Sequence, residues 1–209
     1  MTPKRPKAES RRKLPRAARE QQMLDVAAQV FARRGFHGAS MDEIARSCGL
    51  TKPMLYAYFK SKEGLYLATV DRAGRYLVGS VDKLLEERDP LGRLRRATGI
   101  LLSFIDRDRH GWAVLFAEGL GEGPVARHVA LYRAQIAHAA AFTLAQAREG
   151  PRPSARAIRA AQPYAVGMLG AGEALARWWL AQDGLSLARV TAVAMTVVEG
   201  VFESASAAR

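Results

Sequence analysis

Apolar positions recur at three- and four-residue spacing along nearly the whole chain, the period of helices packed on one side. Met23, Leu24, Ala27, Val30 and Phe31 mark a first helix that begins near Arg16. It stops at "RRGFHGAS", where two glycines break the period and Arg33 and Arg34 suit the negative end of a helix. Ser40 opens a second helix with the capping box "SMDE", in which Ser40 takes the amide of Glu43 and Glu43 reaches back. Ile44 and Ala45 face inward, and Gly49 provides the C-cap. Thr51 caps a third helix, with Pro53 in the first turn, where its missing N–H costs little. Leu55 and Phe59 share the buried face of that helix, leaving Lys52, Met54, Tyr56 and Tyr58 to face out. Ser61 caps a fourth helix through Leu65, Leu67, Val70 and Leu77, as far as about Leu85.

Beyond Pro90 the pattern predicts helices over residues 91–106, 112–120, 124–148, 154–182 and 186–205, separated by Gly/Pro breaks such as "EGPRPS" and "QDGLS". Pro163, inside the penultimate helix, predicts a kink or a restart. With no strand pattern and long Ala/Leu/Arg-rich runs, the fold class is all-α.

Charge changes the picture of the N-terminal third. The chain of 209 residues carries a formal net charge of +12. Residues 1–62 hold 14 Lys+Arg against 5 Asp+Glu, a net of +9, and every lysine lies at or before Lys83. Such asymmetry points that third toward a polyanion. Residues 1–15 are Pro-, Lys- and Arg-rich with almost nothing apolar, and read as a disordered basic arm. The start lacks the apolar segment of a secretory signal, and no uninterrupted apolar run reaches the roughly 18 residues of a membrane span. A single cysteine, Cys48, fits a reducing compartment. A cytoplasmic location with no membrane partner is therefore expected.

Catalytic and metal signatures are missing from the pattern. There is no Gly-rich phosphate loop, no HExxH and no paired Cys/His spacing, and the four histidines are scattered. No enzyme activity, metal or cofactor is expected. What residues 40–59 do offer is helix, glycine turn, and helix with an exposed polar-aromatic first turn. In that layout the second helix enters the DNA major groove and presents its tip to base edges.

The stretch "GFHGASMDEIARSCGLTKPMLYAYFKSKEGLYLATV" resembles the DNA-binding domain of the TetR family of bacterial transcriptional regulators. The resemblance rests on the "RRGF" helix end, Ser40, Ile44-Ala45, Gly49, Leu55-Tyr56, Phe59 and "KSKEGL", and runs from about Arg16 to about Val70. It implies a helix-turn-helix domain over residues 16–62 and a helical effector-binding and dimerisation domain over residues 63–209. It further implies that Lys52, Pro53 and Met54 form the base-reading tip and that Tyr56 binds a phosphate. Tyr58 is placed at a position that often touches DNA, Lys62 and Ser40 at phosphate anchors, and Thr51 beside the backbone. Met54 stands where the family often has a small or hydroxylated residue, and a thioether there can pack on a thymine methyl.

For the remainder the resemblance is architectural. It implies a cavity for a small, mainly apolar effector, with Phe104, Trp112, Phe116, Tyr132, Phe142, Met168 and Trp178 as candidate lining and Glu118, His128, His138 and Glu173 among them. The last two helices are apolar on more than one face, and a two-fold interface is the natural cover. Gly167, Gly170, Ala174, Val193, Val197 and Val201 are the candidate homodimer contacts. The resulting expectation is a dimeric repressor that binds a palindromic operator in double-stranded DNA and is released by its effector. Two alternatives compete with it: a nonspecific or architectural DNA-binding protein, and a helical small-molecule-binding protein without sequence-specific DNA binding.

Overall fold

A computed structural model describes residues 15–117, 119–182 and 184–207. The expected basic arm up to Leu14, and Glu118, lie outside the described residues. Among the described residues there are nine α-helices and no strand. They are α1 (Arg16–Gly38), α2 (Met41–Ser47), α3 (Lys52–Phe59), α4 (Lys62–Asp82), α5 (Pro90–Arg107), α6 (Arg109–Leu115), α7 (Pro124–Glu149), α8 (Ala155–Leu180) and α9 (Leu187–Ala207). A single 3-10 turn, Lys83–Glu86, follows α4 where the sequence pattern predicts more α-helix.

The signals at the helix ends act largely as their chemistry demands. Ser40 Oγ accepts the Glu43 amide at 3.1 Å, and Ser61 Oγ accepts the Gly64 amide at 3.0 Å. α2 closes with Gly49 at φ 66°, the Leu50 amide bonding Ala45 O and the Gly49 amide bonding Arg46 O, which is a Schellman closure. Thr51 departs from expectation. Its carbonyl starts α3 by accepting from Met54 and Leu55, but its hydroxyl makes no capping bond. The glycine break in α1 is present: Gly35 leaves helical backbone (φ 68°, ψ 174°) and one further turn carries on to Gly38. α8 runs through Pro163 with no restart, packing along a 26-residue helix outweighing one missing amide. The segment expected as a helix over 112–120 is instead the shorter α6, ending at Leu115, with a glycine-containing turn beyond.

The α3–α4 corner explains why "KSKEGL" has its composition. Lys60 holds a positive φ of 63°, and the Ser61 amide bonds Phe59 O at 2.7 Å in a tight three-residue turn. That turn drives Phe59 O into the first turn of α4, where a Cβ on Gly64 would lie 2.2 Å from it. Lys62 then reaches back across α1: its ammonium donates to His37 O and Ala39 O, each at 3.3 Å, and sits 4.8 Å from the centre of the Phe36 ring. One turn of sequence thus fixes α3, α4 and the end of α1 together.

Buried residues form one cluster from Met23 in α1 to Ala194 in α9, so packing shows no break at the 62/63 boundary. α1 packs on α4 and α6, and α4 continues onto α5 and α7. Tyr66 binds this junction: it is buried, stacks edge-on against Phe31 and Phe36, and donates its hydroxyl to Val114 O at 3.1 Å. Burial pushes its phenol up to about 12. At the far end, α7 and α8 pair through alanines: Ala141 and Ala145 meet Ala157, Ala161 and Ala165 in a second cluster. Glu173 is buried on α8 and held by the Arg133 guanidinium at 2.6 and 2.7 Å.

The close contact at Gly64 gives the first prediction. Gly64→Ala forces α3 and α4 apart and lowers stability by about 1–3 kcal/mol in denaturant unfolding. A variant as stable as the parent would show that the corner tolerates a side chain.

Candidate nucleic-acid interface and ligand cavity

Short helices at the N-terminal end of the molecule present a single outward row. Leu55 and Phe59 bury the inner side of α3, while Lys52 and Pro53 lie exposed on its opposite side. Met54 and Tyr56 are also exposed there, at 36% and 39%. Tyr58, expected to face out, is half-buried between Phe59 and the Arg16 guanidinium, which lies 5.3 Å from the ring centre. The Lys52 ammonium is paired with Asp42 of α2 at 2.8 Å, a bond that raises its pKa. Ser40 is exposed at the start of α2, its hydroxyl engaged with the Glu43 amide. Thr51 is exposed with its hydroxyl unused for capping. Lys62 is spent in part on α1 carbonyls, which leaves one of its three N–H groups for a further acceptor. Ser40, Thr51, Lys52, Pro53, Met54 and Tyr56 therefore share one exposed corner, with Tyr58 and Lys62 tucked at its margins. Arg16 and Arg19 of α1 border the same corner. The helix-turn-helix motif gives no sign of them, because α1 enters that motif only as scaffold. Cys48, behind α2, is buried, and burial pushes its thiol up.

A cavity of about 120 Å³ lies inside the helical bundle, enclosed by α4, α5, α7, α8 and α9. Leu77 and Val81 of α4, Leu101 of α5, Ile136 of α7, Leu175 of α8 and Val198 of α9 make it apolar, while Arg93, Thr98 and Thr143 supply its polar atoms. Arg93 is buried, bonds Thr143 Oγ1, Gln146 Oε1 and Glu87 O, and its desolvation lowers its pKa. A larger and more open groove between α4 and α7, about 660 Å³, adjoins this cavity and shares Val81, Ile136 and Ala139 with it.

The structure divides the seven candidate lining residues. Phe116 and Met168 line the cavity, and Phe142 lines the groove. Four line neither. Phe104 is buried against Tyr76 and Trp112 against Phe116. Tyr132 lies over Gly74 and donates to Asp71 at 3.0 Å, beside His128, whose Nε2 is 2.5 Å from the same carboxylate. Trp178 is 50% exposed on the outer side of α8, while its neighbour Trp179 is buried with its indole N–H on Leu185 O. An aromatic at helical spacing announces burial or contact, and only the rotation of the helix decides which.

Trp178 instead joins a different surface. Gly167, Gly170, Ala174 and Trp178 form an exposed stripe along α8, and Val193 and Val197 are exposed on α9 with Val201 half-buried beside them. α9 is also the one described helix long and apolar enough to cross a membrane, even though charged residues interrupt its apolar run. Val190, Ala194, Val198 and Ala205 are its buried residues.

Residues 23–69 match the family of bacterial regulatory proteins named for tetR, and residues 90–202 match a tetracyclin repressor-like C-terminal domain. The chain belongs to the TetR family. It is 36% identical over 183 residues to the HTH-type transcriptional activator FasR of Mycolicibacterium smegmatis, spanning 86% of this chain and 81% of the relative. A TetR-like transcriptional regulator from Rhodococcus sp. RHA1 superposes with a TM-score of 0.74 at 32% identity, over 90% of this chain and 97% of that one. FadR from Bacillus subtilis, crystallised with stearoyl-CoA, shares the fold with a TM-score of 0.69 at 17% identity, over 87% of this chain and 96% of that one. The protein is thus a DNA-binding transcriptional regulator of this family and not an enzyme.

Tyr56 supplies the most direct test of the exposed corner. Tyr56→Ala leaves the fold intact, because the ring is substantially exposed, and weakens binding to duplexes selected from a random pool by about tenfold or more. Undiminished binding would remove Tyr56 from the interface.

Proposed function

We propose that the protein is a homodimer that reads a pseudo-palindromic operator and leaves it when an apolar-tailed effector fills the bundle cavity. Within each protomer the reading tip is Lys52, Pro53 and Met54, with Tyr56 and Lys62 as phosphate anchors and Ser40, Thr51 and Tyr58 beside them. The observation that carries this reading is the position of α4. Its first half, Leu65, Tyr66 and Val70, is packed in the core of the reading domain, and its second half, Leu77 and Val81, walls the cavity. A ligand pressing on the second half acts on the reading domain through one continuous helix.

The apolar stripes of α8 and α9 support the dimer, since Trp178, Val193 and Val197 keep about a third to a half of their surface exposed in the described chain. A Cβ at Gly167 or Gly170 would meet no other described helix within 4 Å, which leaves the space a second copy needs. Two reading heads would then engage major grooves separated by about 34 Å or a multiple of it. Such a regulator works where the DNA is, in the cytoplasm, and the apolar face of α9 is covered by its twin rather than by lipid.

The effector fits a chain-and-head description. The cavity suits the end of an alkyl chain, and the larger α4–α7 groove, with Asp82, Gln135 and His138 on its wall, has room for the rest of the chain and a polar head. An acyl thioester has this form, and the stearoyl-CoA bound by a protein of the same fold favours testing that class first. Ligand-driven release makes a repressor when the operator overlaps a promoter. The relative FasR bears the name of an activator, so operator position decides the sign.

Stearoyl-CoA titrated into the protein–duplex complex tests the reading. It is expected to release the parent protein and to leave Ala139→Trp bound, because Ala139 lines both groove and cavity and an indole there fills the space where they meet. Release of both alike would place the ligand elsewhere. No release of the parent by acyl-CoA of any chain length would reject the acyl class.

A further inference from the structure

The first turn of α1 lies along the reading helix. Arg19 Nη1 is 3.7 Å from Met54 Sδ, and the Arg16 guanidinium lies 5.3 Å from the centre of the Tyr58 ring. Met54 and Tyr58 are four residues apart on α3, and Arg16 and Arg19 three apart on α1, so the two helices present parallel rows. Neither arginine is spent on a described carboxylate, unlike some of the cations around them. Lys52 is paired with Asp42, Arg34 with Glu43 and Arg72 with Asp25. Among the described residues no ion pair involves Arg16 or Arg19, whose neighbours are a thioether and an aromatic face. Both neighbours hold a guanidinium in place without neutralising it. A cation over a ring keeps its edge N–H groups directed outward.

We infer that Arg16 and Arg19 form a second line of DNA contacts, gripping backbone phosphates flanking the groove that α3 enters, while Arg19 also positions the Met54 thioether for base contact. Planar guanidiniums suit phosphate, which they grip with paired N–H groups. The sequence that precedes this corner adds Lys4, Arg5, Lys7, Arg11, Arg12 and Lys13 against Glu9 alone. Nothing in the helix-turn-helix motif assigns a role to α1 beyond support. The structure gives its first turn a place in the interface.

The test is the salt dependence of binding, read by fluorescence anisotropy with the full chain and a labelled random-sequence duplex. Removing one phosphate interaction makes the slope of log affinity against log salt shallower by about 0.9. Arg16→Gln with Arg19→Gln is expected to flatten the slope by one such increment for each arginine at each bound protomer. Arg16→Lys with Arg19→Lys retains the charge and is expected to recover most of the slope. Arg156→Gln with Arg159→Gln, two exposed α8 arginines far along the chain, controls for net charge and is expected to leave the slope unchanged. An unchanged slope in the Arg16/Arg19 Gln pair, whether or not affinity falls, overturns the inference, since a merely structural role would move affinity alone. So does a change matched by the Arg156/Arg159 pair.

Discussion

Helix α4 carries Leu65, Tyr66 and Val70 into the core behind the reading helix and, two turns later, Leu77 and Val81 into the cavity wall. In the proposed coupling, displacement of one half reaches the other along the helix axis, through its own hydrogen bonds. Tyr66 makes the coupling stricter. Its hydroxyl is tied to Val114 O of α6, and α6 packs on α1, so the reading domain is joined to the bundle by two routes. Phe116, which lines the cavity, directly follows the end of α6. Under the proposed function, ligand and DNA would address the same small set of packed side chains.

The corner at residues 59–64 governs how α4 meets α3. A positive φ at Lys60, a carbonyl driven against Gly64 and an ammonium clasping the end of α1 leave little freedom in the angle between the two helices. Such a hinge-free joint is what a base-reading helix requires, since base contacts tolerate only small errors in placement. Lys62 illustrates how a residue can serve two roles. It closes the α1–α2 junction, and in the proposed interface its remaining donor would meet a phosphate.

Local signals made much of this legible. Ser40 and Ser61 act as the caps their spacing implies, Gly49 closes α2, and Leu55 and Phe59 are buried as the period demands. Where long-range packing competes with a local signal, the signal loses. α8 continues through Pro163 without a restart and the Thr51 hydroxyl leaves its cap unmade, whereas Gly35 does interrupt α1 as its glycine signal demands. The cavity was the least legible part, for a geometric reason. Adjacent residues differ by about 100° around a helix, so Trp178 faces out where Trp179 faces in, and no composition rule separates them. The same ambiguity assigned Phe104, Trp112 and Tyr132 to the pocket when each is committed to a partner inside the core or to the Asp71 cluster. No small residue was among the candidate lining, yet Ala139 and Gly172 shape the cavity by what they lack. Arg16 and Arg19 were invisible for a related reason, since their place beside α3 arises from the tertiary packing of α1.

The central claim is that filling the cavity moves the reading heads through α4. The most direct measurement is the distance between spin labels at Ser47→Cys, exposed at the end of α2, in a Cys48→Ala background of the full chain. It would be taken with and without stearoyl-CoA, with saturation established by calorimetry. One well-defined distance between two protomers, shifting when the ligand binds, is the predicted result. A distance unchanged at saturation would mean that α4 does not transmit the signal, and no measurable pair at all would remove the dimer on which the coupling depends.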